Sequence, residues 1–255
     1  MKRLLTSRAV AALALPMLLA VAILVFASLS TNIFISSPAE VWQRFVAWWP
    51  AGWHTDLVPS LRNVLVGFLL ASIVGIGLGI LLGTSRVLRE LCTPMIDFIR
   101  AVPDAAVVPC LLLIFGFEPG TRVLVVFLSS IWPILIGTID GVLAIDPRQR
   151  EMARAFRVPP VQRFFRLLLP AASPQILSGI KVGLTVAIVV VVISEMFGST
   201  EGLGYFIIAS QRQFDVAGVW LGTIIIALIG YLLNTGFGSL QQRLLRWHPS
   251  YRDAR

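Results

Sequence analysis

Residues 146–170 read DPRQREMARAFRVPPVQRFFRLLLP, and this stretch decides how the whole chain is interpreted. It is a long polar segment with six arginines, and it lies between strongly apolar regions. Asp146 is a good helix N-cap, and Pro147 suits the first turn of the helix that follows. The sequence therefore predicts a short helix over 148–156, which the proline pair at 159–160 terminates.

A second helix is predicted to start near Val161 and to carry apolar side chains toward the membrane. Pro170 and Pro174 are expected to mark its junction with the next membrane span. Two helices joined by a turn on a membrane surface suit contact with a soluble partner. From the residues alone, an ordinary basic loop explains the segment equally well.

The composition is that of an integral membrane protein. Of the 255 residues, 57% are hydrophobic and only 13% are charged, whereas about 25% of the residues in a soluble domain are charged. The net charge of +8 comes from basic residues between apolar runs, a pattern typical of loops that face anionic lipid. Lipid is therefore the expected surrounding, and nucleic-acid binding is not expected.

Six apolar stretches are long enough to span a membrane, since about 20 apolar residues cross the hydrocarbon core. The uncharged run over 9–39 is too long for a signal peptide, so it is interpreted as a retained first span. Charged residues and prolines interrupt the third stretch, which is expected to be a broken helix buried in the bundle. The predicted spans are 9–39, 63–85, 91–117, 123–139, 173–194 and 216–242.

The distribution of Lys and Arg predicts the orientation. With the N-terminus inside, the inner segments carry fifteen of these residues and the outer segments only three, so both termini and residues 146–170 are expected in the cytoplasm. The chain then divides into a first span with an outer, Trp-rich interfacial segment over 1–59, a core over 60–242 and a basic tail over 243–255.

Charged residues inside the spans are candidates for function, because an ionisable group in lipid is costly. Asp97 and Arg100 are three residues apart, a spacing that also suits a simple pair. The guanidinium of Arg100 suits an oxyanion. The candidate substrate path consists of Arg100, Asp104, Trp132 and Glu195.

No catalytic or metal-binding arrangement is expected. The GIGLG stretch over 75–79 lacks the spacing of a dinucleotide fingerprint and the Lys-Ser/Thr ending of a phosphate loop. His54 and His248 lie in peripheral segments, away from any nucleophile or acid. The chain is therefore not expected to be an enzyme or to hold a cofactor or metal.

Residues 151–170 begin with Glu-Met-Ala and end in Leu-Pro, with hydrophobic and basic residues between. This pattern resembles the cytoplasmic signature loop of permease subunits in bacterial binding-protein-dependent ABC importers. The resemblance extends over about 38–247 and is greatest to the nitrate, taurine and aliphatic-sulfonate group. The residues that carry it are 60–62, 75–83, 98–103, 194–196 and 202–205.

The resemblance implies an all-α integral membrane fold with six transmembrane helices, of the type I importer (MetI-like) kind, in the bacterial inner membrane. It also implies a second permease copy, with a homodimer favoured over a heterodimer, two ATPase subunits that bind ATP and Mg²⁺, and an extracytoplasmic binding protein. The expected activity is ATP-driven import of a small organic or inorganic anion of the sulfonate, taurine or nitrate type.

The same resemblance assigns roles to two sets of residues. The first short helix becomes the coupling helix, with ATPase contacts expected at Arg148, Glu151, Met152, Ala153, Ala155, Phe156 and Arg157. An outer gate or a binding-protein contact is expected at Gly202, Leu203, Gly204 and Tyr205, although helix capping and turn formation explain these four residues nearly as well.

Two positions depart from the family pattern. The signature glycine falls at Arg157, so the turn after the coupling helix is expected to be made by the prolines at 159–160 instead. A usual second proline falls at Asp104, which puts a carboxylate near the expected substrate path. A secondary transporter driven by an ion gradient is the alternative, although no repeat between the two halves supports it.

Overall fold

The computed structural model describes residues 33–247, which fold into helices joined by short connections. The predicted tail beyond residue 247, and all of the predicted first span before residue 33, lie outside the described residues. The helices are α1 (Pro38–Gly52), α2 (Val58–Thr84), α3 (Arg86–Arg100), α4 (Asp104–Phe115), α5 (Pro119–Leu143), α6 (Pro147–Ala155), α7 (Pro160–Arg163), α8 (Leu169–Met196), α9 (Leu203–Arg212) and α10 (Val216–Leu244). One π-helical turn joins α1 to α2 (Trp53–Leu57) and another joins α7 to α8 (Phe164–Leu168).

Four helical stretches in the described part are long and apolar enough to cross a membrane. They are Pro38–Thr84, Pro119–Leu143, Pro160–Met196 and Val216–Leu244. The pair α3 and α4 passes the same test as a fifth, broken span, with a bend of 91° between the two helices. These five correspond in order to the second to sixth predicted spans.

Helices α2, α5 and α8 form the core. One face of α2 carries a small residue at every fourth position and packs so closely on α5 that a Cβ on Gly79 would lie 2.5 Å from the Thr138 Cβ. Helices α5 and α8 cross where a Cβ on Gly137 would lie 2.8 Å from the Gly179 Cα. Because small residues let helix backbones approach, van der Waals contact holds these helices together.

The bend between α3 and α4 confirms the predicted break in the third span. Pro103 lies at the break and cannot donate the N–H that would continue the helix. The predicted burial of this region holds for one face of α4, where Val108 and Leu112 are buried, but not for α3, where no residue is buried in the single chain. Apolar side chains such as Met95 and Phe98 are exposed instead, because no described helix packs over that face.

The junction predicted at Pro170 and Pro174 is also wrong, because helical structure continues from Pro160 to Met196. In the π-helical turn before α8, the Leu169 N–H bonds to the Phe164 carbonyl, five residues back. Pro170 then falls in the first turn of α8, where its missing N–H does not interrupt the helix. A wider turn therefore accommodates the proline.

The Trp-rich segment forms α1, at the end of the molecule opposite α6. Trp48 is buried and donates a hydrogen bond from Nε1 to the Asp56 Oδ2 at 2.7 Å. Trp42 and Trp49 are exposed, as suits aromatic rings at a membrane interface. Helix α9, which was not predicted, packs against α1 through Phe206, whose ring centroid lies 6.0 Å from that of Trp48.

Candidate functional site

A cavity of about 430 Å³ opens between the α3–α4 bend, α5 and α8. Three of the four predicted substrate-path residues line it, namely Arg100, Asp104 and Trp132. The polar lining also includes Asp140 and Gln175, which were not predicted from the sequence. Both lie on helices that were correctly predicted, but only the packing of α5 against α8 brings them to one cavity.

The charges around this cavity are mixed. The Arg100 Nη1 lies 3.7 Å from the Asp97 Oδ1, with the two side chains 49% and 63% exposed. A pair this exposed contributes at most about 1 kcal/mol, so it leaves the guanidinium able to interact with a solute. Asp104 and Asp140 add two carboxylates. The cavity thus offers both a cationic and an anionic lining.

Glu195 does not line this cavity. It is fully buried at the C-terminal end of α8, where its Oε2 accepts hydrogen bonds from the Ser60 hydroxyl at 2.7 Å and the Gly204 N–H at 3.1 Å. The Ser60 Oγ accepts another from the Leu203 N–H at 2.8 Å. Glu195 therefore ties α2, α8 and the start of α9 together, apart from the other predicted substrate-path residues.

The predicted gate residues turn inward against Glu195. Gly202 has a φ of +103°, and a Cβ there would lie 2.4 Å from the Glu195 Cδ. A Cβ on Gly204 would lie 2.3 Å from the Val192 carbonyl oxygen. Glycine is required at 202 for both its backbone conformation and its lack of a side chain. Of the four predicted residues, only Tyr205 is partly exposed.

A second set of charges closes the same end of the molecule. The side chain of Arg122 is 4% exposed, and its Nη1 lies 3.7 Å from the Glu201 Oε1. Arg62 reaches the same Glu201 oxygen, also at 3.7 Å. Glu201 thus links the loop before α9 to α2 and α5. The outer cluster, named for the side on which the predicted topology places it, is defined as Ser60, Arg122, Glu195, Glu201, Gly202, Leu203 and Gly204.

Helix α6 begins as predicted, with the Asp146 Oδ1 accepting a hydrogen bond from the Arg148 N–H at 2.8 Å. Its exposed face and its C-cap together carry an apolar stripe made of Met152 and Phe156, which are 56% and 76% exposed. Ala153 faces the bundle and is half-buried. The other predicted contact residues on the exposed face are Arg148, Glu151 and Ala155.

The turn after α6 corrects the prediction for Arg157. This residue itself takes the left-handed backbone conformation, with a φ of +50°, so the prolines at 159–160 do not replace the glycine. The Val158 N–H bonds to the Ala153 carbonyl at 3.0 Å, as in a Schellman helix end. The left-handed conformation costs a residue with a Cβ about 1–2 kcal/mol.

Residues 75–246 match the family described as "Binding-protein-dependent transport system inner membrane component". The chain belongs to this family. The match runs from the middle of α2 beyond the end of α10, so the cavity, most of the outer cluster and α6 all lie inside the family region. The predicted family is thereby confirmed.

Three relatives give this assignment its detail. The chain is 34% identical over 192 residues to the putative aliphatic sulfonates transport permease protein SsuC of Bacillus subtilis (strain 168), a match that covers 75% of this chain and 70% of the relative. It is 33% identical to the nitrate import permease protein NrtB of Leptolyngbya laminosa, with coverage of 76% and 70%. The bicarbonate transport system permease protein CmpB of Synechococcus elongatus (strain ATCC 33912 / PCC 7942 / FACHB-805) is also 33% identical, with coverage of 76% and 69%. This chain is a permease subunit of an ABC importer.

A solved structure supports the fold independently. The inward-facing MetNI methionine ABC transporter, in the CY5 SeMet soak crystal form, superposes with a TM-score of 0.63 over 74% of this chain and 94% of that chain. The sequence identity is 16%, so the likeness establishes the MetI-like fold and nothing about the solute. The predicted fold class is confirmed.

Proposed function

We propose that this permease carries a small solute inward while partner ATPase subunits hydrolyse ATP, and that α6 transmits the movement. The observation that supports this role is the exposed stripe of Met152 and Phe156 on a helix outside the membrane-spanning core. An amphipathic helix with such anchors fits a hydrophobic groove on a soluble protein. ATP and Mg²⁺ belong to the ATPases in this mechanism, and this chain hydrolyses nothing.

The connections of α6 suit this role. Only residues 144–146 separate it from α5, and the turn at Arg157 leads through α7 directly into α8. A displacement of α6 therefore acts on two core helices at once. In the proposed orientation, α6 and both chain termini are cytoplasmic, as the concentration of arginine at this end favours. The outer cluster then faces the side on which a solute-binding protein docks.

A second permease copy completes the assembly. Helix α3 has no buried residue, and the α3–α4 region exposes a run of large apolar side chains that includes Phe98, Leu113 and Ile114. The solute cavity opens on the same region. A second copy against this face would bury the apolar surface and close the cavity between two permeases, so a homodimer is proposed.

The solute is proposed to be a small anion, and the cavity favours one that also carries a positive group. The relatives' names specify sulfonates, nitrate and bicarbonate, and Arg100 supplies a guanidinium for an oxyanion. The carboxylates of Asp104 and Asp140 in the same lining disfavour a bare anion by charge repulsion. An aminosulfonate such as taurine satisfies both kinds of charge better than nitrate does.

The test of coupling replaces the apolar stripe of α6. The permease is co-expressed with its ATPase and binding protein, and the double variant Met152→Ser, Phe156→Ser is compared with the wild type. ATPase co-purification and ATP-dependent uptake into proteoliposomes are both expected to fall at least tenfold. The matched control is Leu240→Ser, Leu244→Ser, which removes two exposed apolar residues one turn apart at the C-terminal end of α10.

Two outcomes would count against the proposal. If the α6 variant and its control behave alike, the stripe is not the ATPase contact. If uptake follows a proton or sodium gradient and continues without ATP, the chain works as a secondary transporter.

A further inference from the structure

Three arginines line a small cleft between α6, α7 and the adjacent ends of the core helices. Arg150 and Arg154 lie one turn apart on α6, and Arg163 ends α7. The cleft has a volume of about 140 Å³, several times the roughly 30 Å³ that one water molecule occupies in the liquid. None of the described residues places a carboxylate in its lining, and the remaining lining residues are Thr84, Val142, Ile145, Leu167 and Leu168.

Part of this positive charge is used within the chain. Arg150 donates from Nη2 to the Val142 carbonyl, at the end of α5. Arg89, which does not line the cleft, makes a similar contact: it donates from Nη1 to the Leu82 and Gly83 carbonyls at 3.4 and 3.3 Å, at the end of α2. These two arginines therefore offset the negative ends of two helix dipoles.

Two of the three cleft arginines remain to be considered. Within residues 33–247, the guanidinium groups of Arg154 and Arg163 have no ion pair and no hydrogen bond. One belongs to α6 and the other to α7, so they approach the cleft from both sides of the turn at Arg157. Their charge is available to an external anion.

We infer that this cleft binds the phosphate of an anionic phospholipid. Guanidinium groups hydrogen-bond phosphate oxygens in pairs and suit a partly dehydrated site. Leu167 and Leu168 form the wall that leads into α8, so the acyl chains of a lipid held here would continue along an apolar helix. Basic pockets between membrane helices on the cytoplasmic side are suited to such headgroups.

The position of the arginines on α6 favours a lipid over the ATPase. At about 100° per residue, Arg154 points roughly 160° away from Met152 and Phe156, so it does not share a face with the proposed ATPase contact. The inference rests on the proposed cytoplasmic position of α6, because anionic lipid is concentrated in the cytoplasmic leaflet. A phosphate in the cleft would bridge α6 and α7 and hold the coupling helix against the membrane.

The experiment measures lipid retention and requires no transport. The permease is purified with its ATPase from nanodiscs of phosphatidylcholine with phosphatidylglycerol, and retained phosphatidylglycerol is counted by native mass spectrometry. The double variant Arg154→Gln, Arg163→Gln is expected to retain at least tenfold less than the wild type. The matched control Arg243→Gln, Arg246→Gln removes the same charge from the last turn of α10 and the residues just after it, and it is expected to retain the wild-type amount.

Each other result overturns the inference. If both double variants retain the wild-type amount of phosphatidylglycerol, the cleft is not the site. If both lose it to the same extent, the lipid is attracted by general positive charge. Displacement of the lipid by millimolar inorganic phosphate assigns the cleft to free phosphate. Loss of the ATPase with lipid retained assigns the arginines to protein docking.

The single variant Arg163→Gln lies outside α6 and keeps the test valid if the double variant does not fold; for it, unchanged retention contradicts the inference. Because retention is measured without uptake, failure here leaves the proposed function standing. Failed uptake with lipid retained affects only the proposed function.

Discussion

The outer cluster and α6 lie at opposite ends of the core helices and hold their charges in opposite ways. In the outer cluster, Glu195 and Arg122 are buried and have partners within the chain. On α6 and α7, Arg154 and Arg163 have no partner in the described part of the chain, and Met152 and Phe156 face outward. The number of charges does not distinguish the two ends, but the location of their partners does.

This difference separates structural residues from contact residues. A buried charge whose hydrogen bonds all come from its own chain holds helices in register, and removing it leaves other buried groups unpaired. An exposed charge or apolar stripe without an internal partner contributes little to stability and marks a surface for something else. Substitutions in the outer cluster should therefore affect folding, whereas substitutions on α6 should affect coupling.

The largest effect is expected for Glu195→Ala. The change leaves the Gly204 N–H and the Ser60 hydroxyl without their buried acceptor and opens a cavity, so a loss of about 3 kcal/mol is expected. Thermal unfolding in detergent measures it. Glu195→Gln keeps a side-chain oxygen acceptor and should lose much less. Equal, small losses for both variants would show that the outer cluster is not a structural tie.

A slightly smaller effect is expected for Gly202→Ala. The new Cβ would lie 2.4 Å from the Glu195 Cδ at a φ of +103°, so we expect a loss of about 2 kcal/mol from strain and overlap together. Gly116→Ala is the matched control, because Gly116 also has a positive φ, of +82°, but has no atom within 4 Å of an added Cβ.

The comparison becomes sharper when Gly202→Ala is combined with Glu195→Ala. Removing the carboxylate removes the overlap, so the double variant should lose less unfolding free energy than the sum of the two single losses. Additive losses would mean that Gly202 is required only for its backbone conformation.

The double variant Asp104→Asn, Asp140→Asn tests the cavity that lies between the two ends. If the carboxylates bind a cationic group, taurine uptake should fall about tenfold, equivalent to about 1.4 kcal/mol, with little change for ethanesulfonate, which lacks the amine. Radiolabelled uptake into proteoliposomes gives the measurement. Asp97→Asn, outside the cavity lining, should discriminate the two solutes as the wild type does. A parallel fall for both solutes would contradict the assignment.

The smallest effect is expected for Arg157→Gly, and its sign is opposite. Glycine takes the left-handed conformation without the Cβ penalty, so the variant should gain about 1 kcal/mol. For a protein of this size, that is a rise in Tm of about 2–4 °C. Unchanged ATPase co-purification is also expected, and a loss would mean that the Arg157 side chain contacts the ATPase.

Much of the fold could be predicted because the relevant signals are local. Long apolar stretches predicted the five spans that the structure describes, and the capping signal at Asp146 predicted the start of α6. The predicted junction at Pro170 failed because a π-helical turn accommodates a proline that would otherwise end a helix. Helix α9 was missed because its ten residues are too few to give a clear apolar run.

The candidate sites were harder to predict because their members are far apart in the chain. Asp140 and Gln175 share the cavity with Arg100 only after three helices pack. Glu195 looked like a substrate contact because a charge at the end of a span is costly in lipid. The structure places it outside the cavity instead, and one of its two hydrogen-bond donors, the hydroxyl of Ser60, is 135 residues away.

The sequence by itself therefore determined the membrane class, the order of the five described membrane spans, the family and the polar segment over 146–170, since these depend on composition and on local spacing. Only the tertiary structure decided where each charge lies and which groups it contacts. It buried Glu195 with its own donors, and it left Arg154 and Arg163 without partners among residues 33–247. The physical reason is that desolvation and hydrogen bonding depend on distance in space, which a linear sequence does not specify.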